Sequence, residues 1–207
     1  MLNKVLNKIR RIIYDRWGSK KGHGCRVTPE EWDNQYLGGQ WNKLKSENEK
    51  EHYEIIVDLC RKHEGNCILD LGCGDGALYG YIEKYLNKKY LYKGVDLSIE
   101  AIKLAKNQYV NVEFEEQDLE IYQPSGKVDI VVFNESLYYI KRPLVLLARL
   151  ESYLNEKGCF IVSMCEYKGH DEIWRLLDTN YKCLSLDNMI NSDGQSWRVS
   201  KYVVLST

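Results

Sequence analysis

The chain alternates short apolar runs with stretches whose apolar residues recur at helical spacing. Five runs of strand length occur between residues 67 and 164, namely Cys67–Leu71, Tyr90–Val95, Val110–Phe114, Val128–Phe133 and Gly158–Met164. Strands that alternate with helices favour a parallel sheet with helices on both faces. Val128–Phe133 is the least polar run, so we expect it to form the central strand. The pattern therefore predicts an α/β fold.

The segments before and after these runs predict further elements. Thr28 is a good N-cap and precedes a proline, so a short helix should begin there and run to about Leu37, where two glycines end it. A second helix is expected over 47–62, before the first strand. Past the fifth strand, the runs 181–186 and 197–205 predict an antiparallel pair of strands joined by a turn.

Residues 2–17 carry a stripe of aliphatic side chains, with lysine and arginine beside and opposite it. This pattern predicts a basic amphipathic helix. Two interpretations stay open: the stripe packs on the domain or on a second subunit, or the helix docks onto an anionic membrane face. The glycines between Lys20 and Gly24 then predict a flexible joint.

Length and charge limit the classes of function. At 207 residues the chain suits one domain with an N-terminal extension, which we place at 1–27, ahead of a domain at 28–207. The net charge is −1, but residues 1–22 carry +6 and the remainder carries −7. A negatively charged body argues against a general nucleic-acid surface, because neutralising phosphates needs a broad basic face.

Cysteine and histidine spacing indicates no metal site. The seven cysteines are scattered without a C-x-x-C pair, which is typical of reduced thiols. The four histidines are dispersed and show no zinc-ligand spacing, so no metal is expected. No apolar run approaches about 18 residues, and no signal peptide is evident. We therefore expect a cytoplasmic protein, with residues 2–17 as the segment that would contact the inner membrane face.

The stretch 67–78 carries the main chemical signal. A buried strand is followed by Gly72, Gly74 and Gly76 and then by a helix. Glycine lets the backbone approach a ligand closely, and the free N–H groups at a helix N-terminus favour an anionic or strongly polar ligand. The same spacing can be parsed as G-x-G-x-x-A, which is a weak match to the dinucleotide-binding fingerprint.

Asp70 helps to decide between these ligands, because it lies two residues before the first glycine, at the mouth of the strand. Its carboxylate would repel a pyrophosphate and hold a cationic amino group. Asp96 ends the second strand, where an acidic side chain can accept hydrogen bonds from both ribose hydroxyls. Asp118 follows the third strand. Dinucleotide dehydrogenases do not usually show three acids at three successive strand ends.

The sequence Asp70-Leu-Gly72-Cys-Gly74-Asp-Gly76 resembles motif I of the class I S-adenosylmethionine-dependent methyltransferases, and the resemblance continues over residues 28–207. It implies a Rossmann-like sandwich with a seven-stranded sheet in the order 3-2-1-4-5-7-6, the last strand antiparallel. The helix over 2–17 would extend this fold at its N-terminus. The resemblance also implies S-adenosyl-L-methionine as the cofactor.

Further cofactor contacts follow from the resemblance. Leu97 would contact the adenine, Asp118 would accept a hydrogen bond from its amino group, and Leu119 would lie beside the ring. Residues 28–46 would fold over the cofactor as a lid, although their aromatic side chains could equally plug the end of the core. The predicted cofactor-binding residues are therefore Tyr36, Trp41, Asp70, Gly72, Cys73, Gly74, Gly76, Asp96, Leu97, Asp118, Leu119 and Asn134.

The residues after the fourth strand concern the acceptor. Asn134 and Glu135 should face the methyl end of the cofactor. The run Glu135–Ile140 is similar to one in the nodulation-type N-methyltransferases, which act on the amino group of a chito-oligosaccharide. This similarity favours a sugar or another small polar acceptor. The catalytic candidates are Glu135, Tyr138 and His170, although Glu135 is equally a structural brace and His170 a solvated loop histidine.

The sequence thus predicts an S-adenosylmethionine-dependent N- or O-methyltransferase that acts on a small-molecule or glycan substrate. A non-catalytic cofactor-binding or interaction module is the alternative, because a fold does not fix a function and no unambiguous base is present. The sequence determines neither the acceptor nor the oligomeric state.

Overall fold

A seven-stranded sheet between two layers of helices forms the described chain, which in this computed structural model comprises residues 27–205 except 168. The strands are β1 (Cys67–Leu71), β2 (Leu91–Asp96), β3 (Glu113–Glu116), β4 (Val128–Asn134), β5 (Leu154–Cys165), β6 (Tyr181–Ile190) and β7 (Ser196–Val204). The helices are α1 (Pro29–Leu37), α2 (Lys50–Arg61), α3 (Ala77–Tyr85), α4 (Ile99–Gln108), α5 (Pro143–Glu151) and α6 (His170–Asn180). Short 3₁₀ turns lie at Asn42–Lys45, Glu47–Glu49 and Leu137–Tyr139.

The N-terminal segment is not part of this description. The helix predicted over 2–17 and the joint after it lie outside the described residues, so both stay predictions, as does the domain boundary after residue 27. In the part of the chain that the structure describes, no helix combines the length and the apolar character needed to cross a membrane.

The strand order is β3-β2-β1-β4-β5-β7-β6, which confirms the predicted topology. Strands β1 to β5 run parallel, β7 lies antiparallel to β5, and β6 lies antiparallel to β7. The order reverses between β1 and β4, because the chain moves outward from β1 to β3 and then crosses to the other side of β1. Ligands of open α/β sheets bind outside the carboxyl ends of the strands at such a reversal.

Strand β4 is central, as predicted, and Ile130, Val131, Val132 and Phe133 are fully buried. Alternate side chains of a strand face opposite layers. Ile130 and Val132 pack in a cluster with α2, α3 and α4, whereas Val131 and Phe133 pack with α5 and α6. Each such side chain stabilises the fold by about 1.5–3 kcal/mol relative to exposure. The loops at the edge of the sheet are therefore attached to a well-packed core.

Thr28 and Glu31 fix the start of α1. The Thr28 hydroxyl accepts from the Glu31 N–H, and the Glu31 carboxylate accepts from the Thr28 N–H at 2.9 Å, which makes a reciprocal capping box. The helix ends at Leu37, before the glycine pair. The predicted limits of this helix are confirmed.

Strands β3 and β5 begin three and four residues away from their predicted starts. Strand β3 begins at Glu113 and not at Val110, because Asn111 adopts a left-handed φ of 68° and Val110 is 80% exposed. Strand β5 begins at Leu154 and not at Gly158, because its first residue already pairs with β4 ahead of a bulge. Neither irregularity disturbs the carboxyl ends of the strands, where the candidate site lies.

Candidate functional site

The first glycine of the loop is fixed by the neighbouring strand. Gly72 follows β1 with a φ of 84°, and a β-carbon on it would lie 2.3 Å from the β-carbon of Ser136, just after β4. Ser136 is held there because its hydroxyl donates to the Leu71 carbonyl at 2.5 Å. The ends of β1 and β4 therefore touch at the reversal of strand order, and glycine is the residue that fits between them.

Asp70, the penultimate residue of β1, is 1% exposed. Its Oδ2 accepts from the Tyr92 hydroxyl at 2.6 Å, while Oδ1 has no hydrogen-bond partner among the described residues. Burial raises the pKa of this carboxyl to about 7, and the Tyr92 hydrogen bond acts in the opposite direction. A buried carboxylate oxygen with unused acceptor capacity suits a cationic group of a ligand.

Asp96 joins the glycine loop to the start of α4. Its Oδ2 accepts from the Gly74 N–H at 2.8 Å, and its Oδ1 accepts from the Ser98 N–H at 2.9 Å. Burial raises the pKa of Asp96, and these backbone donors act in the opposite direction. Each carboxylate oxygen keeps a second lone pair, so Asp96 can still accept from a ligand hydroxyl. Leu97 is half-buried beside it.

The remaining predicted cofactor residues divide between the edge and the core. Asp118 is half-buried, and its Oδ1 accepts from the Glu120 N–H at 3.0 Å, just after β3. Leu119 is buried in the core beneath α5 and α6. Cys73 is buried in the core on the opposite face, where burial raises the pKa of its thiol.

Helix α1 crosses the edge of the sheet and is attached on both sides. Asp33 accepts from the Ser98 hydroxyl at 2.6 Å and from the Glu100 N–H at 3.2 Å, at the start of α4. On the other side, the ring of Trp32 packs edge to face on that of Tyr139, with centroids 5.0 Å apart. The helix therefore bridges the ends of β2 and β4, over the crevice.

Tyr36 brings this helix into contact with the glycine loop. Its hydroxyl oxygen lies 2.5 Å from the place where a β-carbon on Gly74 would stand. Burial raises the pKa of Tyr36 well above its ordinary value, and the carboxylate of Asp96 adds to the shift. Trp41 packs against the Tyr36 ring at a centroid distance of 6.4 Å. The half-buried rings lie over the loop, and the role of 28–46 as a lid stays a prediction.

An ion pair that sequence reasoning missed adds another attachment. Lys45 Nζ lies 2.8 Å from Oδ2 of Asp75, whose side chain is almost completely buried in the glycine loop. The segment after α1 is therefore tied directly to the loop. Asp75 stands between two glycines in the sequence, but no local pattern indicates that Lys45, which precedes the first strand, is its partner.

Glu135 follows β4 with a left-handed φ of 56°, which is uncommon for a residue with a β-carbon. Its Oε1 accepts from the Cys165 N–H at 2.6 Å, and its Oε2 accepts from the Tyr138 hydroxyl at 3.0 Å. Burial raises the pKa of Glu135, and nearby His52 acts in the opposite direction. Next to it, Oδ1 of Asn134 has no hydrogen-bond partner within the described residues. The carboxylate thus links the ends of β4 and β5.

His170 begins α6 and is only 7% exposed, so its interpretation as a solvated loop histidine is wrong. Its Nδ1–H donates to the Cys165 carbonyl at 2.8 Å, because a carbonyl oxygen can only accept. Its ring stacks on Tyr138 at a centroid distance of 4.3 Å. Burial lowers its pKa, which favours the neutral ring with Nε2 as the accepting nitrogen. Contacts therefore join Glu135, Tyr138 and His170 into one cluster.

A second buried histidine, His52 on α2, lies at the same edge and was also missed. It is fully buried, its Nε2 lies 3.2 Å from Oε2 of Glu49, and its ring stacks on Trp197 at 5.3 Å. One signal was available, because His52 lies four residues before Ile56 on the predicted apolar face of this helix. That pattern does not indicate that the face meets β7.

Comparison with known families defines the class of protein. The chain belongs to the methyltransferase-domain family, whose model matches residues 62–200. The match extends from the end of α2 into β7 and includes the glycine loop. Together with the strand order, it confirms the resemblance to the class I S-adenosylmethionine-dependent methyltransferases. S-adenosylmethionine is the methyl donor of that class, in agreement with the predicted cofactor.

Two curated relatives show how the acceptors of similar proteins differ. Malonyl-acyl carrier protein O-methyltransferase 2 from Ilyobacter polytropus is 33% identical over 101 residues, which are 46% of this chain and 38% of that protein. Trans-aconitate 2-methyltransferase from Azoarcus sp. is 25% identical over 134 residues, which are 64% of this chain and 50% of that protein. The chain thus spans half the length of these relatives or less, and their acceptors do not define its own.

Solved structures with the same fold include NodS, an N-methyltransferase from Bradyrhizobium japonicum WM9 in complex with S-adenosyl-L-homocysteine. It matches with a TM-score of 0.67 at 14% identity, over 84% of this chain and 100% of NodS. The 4+2 cyclase SpnF matches with a TM-score of 0.70 at 10% identity, over 88% of this chain and 98% of SpnF. At these identities the likeness establishes the Rossmann-like fold alone.

Proposed function

We propose that this protein is an S-adenosylmethionine-dependent methyltransferase whose acceptor is a small polar molecule, with a sugar- or glycan-linked amine or hydroxyl as the first choice. The position of Asp70, beside the glycine loop, carries the proposal. One of its oxygens is buried without a partner among the described residues. That oxygen would attract a cationic group and repel a pyrophosphate.

The residues at this edge fit the cofactor. Asp70 would hold its ammonium group together with Oδ1 of Asn134, and Asp96 would accept from its ribose hydroxyls. The adenine would lie against Leu97 and Asp118, with Leu119 packed in the core beside them. The backbone of Gly72, Cys73, Gly74 and Gly76 would approach the ligand, and Tyr36 and Trp41 would cover it. When bound, S-adenosylmethionine supplies a methyl group on a sulfonium centre.

The acceptor would enter beside the cluster of Glu135, Tyr138 and His170. The rings of Tyr138 and Tyr139 lie 4.5 Å apart and offer flat surfaces of the kind on which sugars rest. The carboxylate of Glu135 favours an amine over an anion. The name of NodS supports an amine, and the name of the Ilyobacter relative keeps an oxygen acceptor in consideration.

The chemistry asks the protein mainly to position the reactants, because an in-line transfer to a nucleophile needs little else. The lid over 28–46 would exclude water from the crevice. Glu135 and Tyr138 would orient the acceptor. When the acceptor arrives protonated, Nε2 of His170 would take its proton, which makes the nitrogen or oxygen nucleophilic.

A location in the cytoplasm is also part of the proposal. The six cysteines in the described part of the chain are free thiols, which suits a reducing compartment. The charge of +6 on residues 1–22 would support contact with an anionic membrane face. The charge of −7 on the remainder disfavours nucleic acid as a partner.

A non-catalytic cofactor-binding module is the second candidate, and the likeness to a cyclase favours it, because that protein shares the fold under another name. The two are separated by incubating the protein with methyl-labelled S-adenosylmethionine and extracts of its source cell. Mass spectrometry of a labelled small product, formed together with S-adenosylhomocysteine, supports the methyltransferase. Recovery of the cofactor intact, with no labelled product, supports the module.

A further inference from the structure

At the edge of the sheet where the parallel strands end, four neighbouring strands place polar side chains on the face that meets α2. These are Asp70 on β1, Asn134 on β4, Ser163 on β5 and Trp197 on β7. In each strand the residue two positions away packs in the cluster that contains α2: Ile68, Val132, Ile161 and Val199. Since strand side chains alternate, all four polar residues share that face. Each carries one buried atom without a partner among the described residues: Asp70 Oδ1, Asn134 Oδ1, Ser163 Oγ and Trp197 Nε1.

His52 adds a fifth such atom from α2. Its Nε2 lies 3.2 Å from a Glu49 carboxylate oxygen, which can only accept, so Nε2 carries the proton. Nδ1 is left with a lone pair and has no partner in the described part of the chain. The ring stacks on Trp197 with an interplanar angle of 5°. An accepting Nδ1 and a donating indole N–H thus lie on two stacked rings.

The charge around His52 is negative. Glu49 binds its other nitrogen, and the carboxylate of Glu135 also lies nearby. Two carboxylates in a site of low dielectric oppose the entry of a third. They also favour an ammonium group or a neutral hydroxyl.

We infer that His52, Trp197 and Ser163 form the subsite that binds the acceptor's amine or hydroxyl, and that acceptors which react through a carboxylate are excluded. The inference rests on the proposed function and names the acceptor class. Nδ1 of His52 accepts one N–H or O–H of the acceptor, and Nε2 of His170 keeps the role of taking the proton that the acceptor loses. The indole N–H of Trp197 donates to a neighbouring oxygen, and the Ser163 hydroxyl does either.

This arrangement matches an amino alcohol or an amino sugar, because such molecules present donors and acceptors on adjacent atoms. A carboxylate has no proton to share with Nδ1 of His52, and it would meet Glu49 and Glu135. The inferred acceptor therefore differs from malonyl and aconitate groups, which are the carboxylic acids named for the two curated relatives.

The test uses nuclear magnetic resonance of the ¹⁵N-labelled full chain with S-adenosylhomocysteine present. The probes are ethanolamine and glycolate, which have similar sizes and differ in the charged group. Trp197→Phe and His52→Gln assign the two ring signals. We expect the Nε2–H tautomer of His52, and we expect ethanolamine, but not glycolate, to shift both signals saturably. The indole of Trp174, which packs in the cluster on the opposite face, should not move.

Variants then locate the binding. Ser163→Ala should weaken ethanolamine binding about tenfold, the effect of one lost hydrogen bond to a charged group. Glu49→Gln should also weaken it, because the variant removes one of the two carboxylates that favour an ammonium group. His63→Gln is the matched control. His63 precedes β1, away from this edge of the sheet, and its Nδ1 lies 3.4 Å from Nζ of Lys201.

Three results would overturn the subsite: an Nδ1–H tautomer of His52, saturable shifts with glycolate, or no shift with ethanolamine. The tautomer is measured on the unmutated protein, so a variant that fails to fold does not spoil the test. Binding of S-adenosylmethionine is measured separately, and it distinguishes a failure of the subsite from a failure of the proposed function. If the cofactor binds and ethanolamine does not, the subsite alone is wrong.

Discussion

The carboxylate of Asp33 accepts a hydrogen bond from the Ser98 hydroxyl at 2.6 Å, although 65 residues separate them. The same hydroxyl accepts from the Ala101 N–H at 3.1 Å and so caps α4. Ser98 also donates its N–H to Asp96, the predicted ribose ligand. One short segment therefore holds α1, starts α4 and positions a predicted cofactor residue, so movement of α1 and cofactor binding should be coupled.

Asp33→Ala should loosen the lid. The variant loses the bonds to Ser98 and Glu100, so hydrogen exchange over 28–46 should speed up in the free protein, and S-adenosylmethionine should restore part of the protection. Glu30→Ala is the control, because this residue is exposed in the first turn of the same helix. Equal protection from hydrogen exchange in both variants would contradict the lid. It would favour the alternative in which the aromatic side chains of 28–46 close the end of the core.

Gly74→Ala should weaken cofactor binding beyond its effect on stability. Gly74 has a φ of 55°, and an added β-carbon would meet the Tyr36 hydroxyl at 2.5 Å. Gly194 has a φ of 79° with no atom within 4 Å of such a carbon. Both variants should lose about 1–2 kcal/mol of unfolding free energy from backbone strain, measured by urea denaturation. Calorimetry should show weaker S-adenosylmethionine binding for Gly74→Ala alone, and equal affinities would contradict the contact.

Asp70 should make stability depend on pH. Its pKa is raised from 3.8 to about 7, so the folded state holds this proton more tightly than the unfolded state. The resulting stabilisation is fully present below about pH 4 and is lost as pH rises through about 7. Asp70→Asn should remove this slope from the free energy of unfolding, measured with urea at several pH values. An unchanged slope in the variant would show that another group, and not Asp70, causes the pH dependence of the unfolding free energy.

Binding of the cofactor should follow the opposite sign. An ammonium group pairs with the ionised carboxylate of Asp70, so affinity for S-adenosylmethionine should rise as pH passes from about 6 to about 8. Calorimetry of the unmutated protein and of Asp70→Asn measures this. The account is contradicted if the unmutated protein binds equally well across the range.

Glu135→Gln should lower turnover by at least about 10²-fold, with cofactor affinity nearly unchanged, if the carboxylate acts on the acceptor. Tyr138→Phe is the matched comparison, because it removes the 3.0 Å hydrogen bond to Glu135 and leaves the Glu135 carboxylate in place. A larger loss in Glu135→Gln separates a role in chemistry from a role as a brace. Equal, small losses in initial-rate assays would assign Glu135 to the brace.

Much of the fold was predictable because β1, β2 and β4 are apolar runs bounded by turn residues, and because glycines mark the loop after β1. The positions of the acids at 70, 96 and 118, at or just after the ends of strands, were predictable for the same reason, because strand ends are local features. The start of β3 was not predictable, because the apolar and polar residues alternate without a break through Asn111, whose backbone nevertheless adopts a left-handed φ. Sequence reasoning also missed His52, Asp33 and the Lys45 pair, since each depends on a partner far along the chain.

Calorimetric titration of the full chain with S-adenosylmethionine, S-adenosylhomocysteine and NAD tests the proposed cofactor site directly. Asp70, Asp96 and the glycine loop predict saturable binding of the first two ligands, at one site per chain, and no binding of NAD. Tight binding of NAD, with no heat from either of the other ligands, would contradict the account.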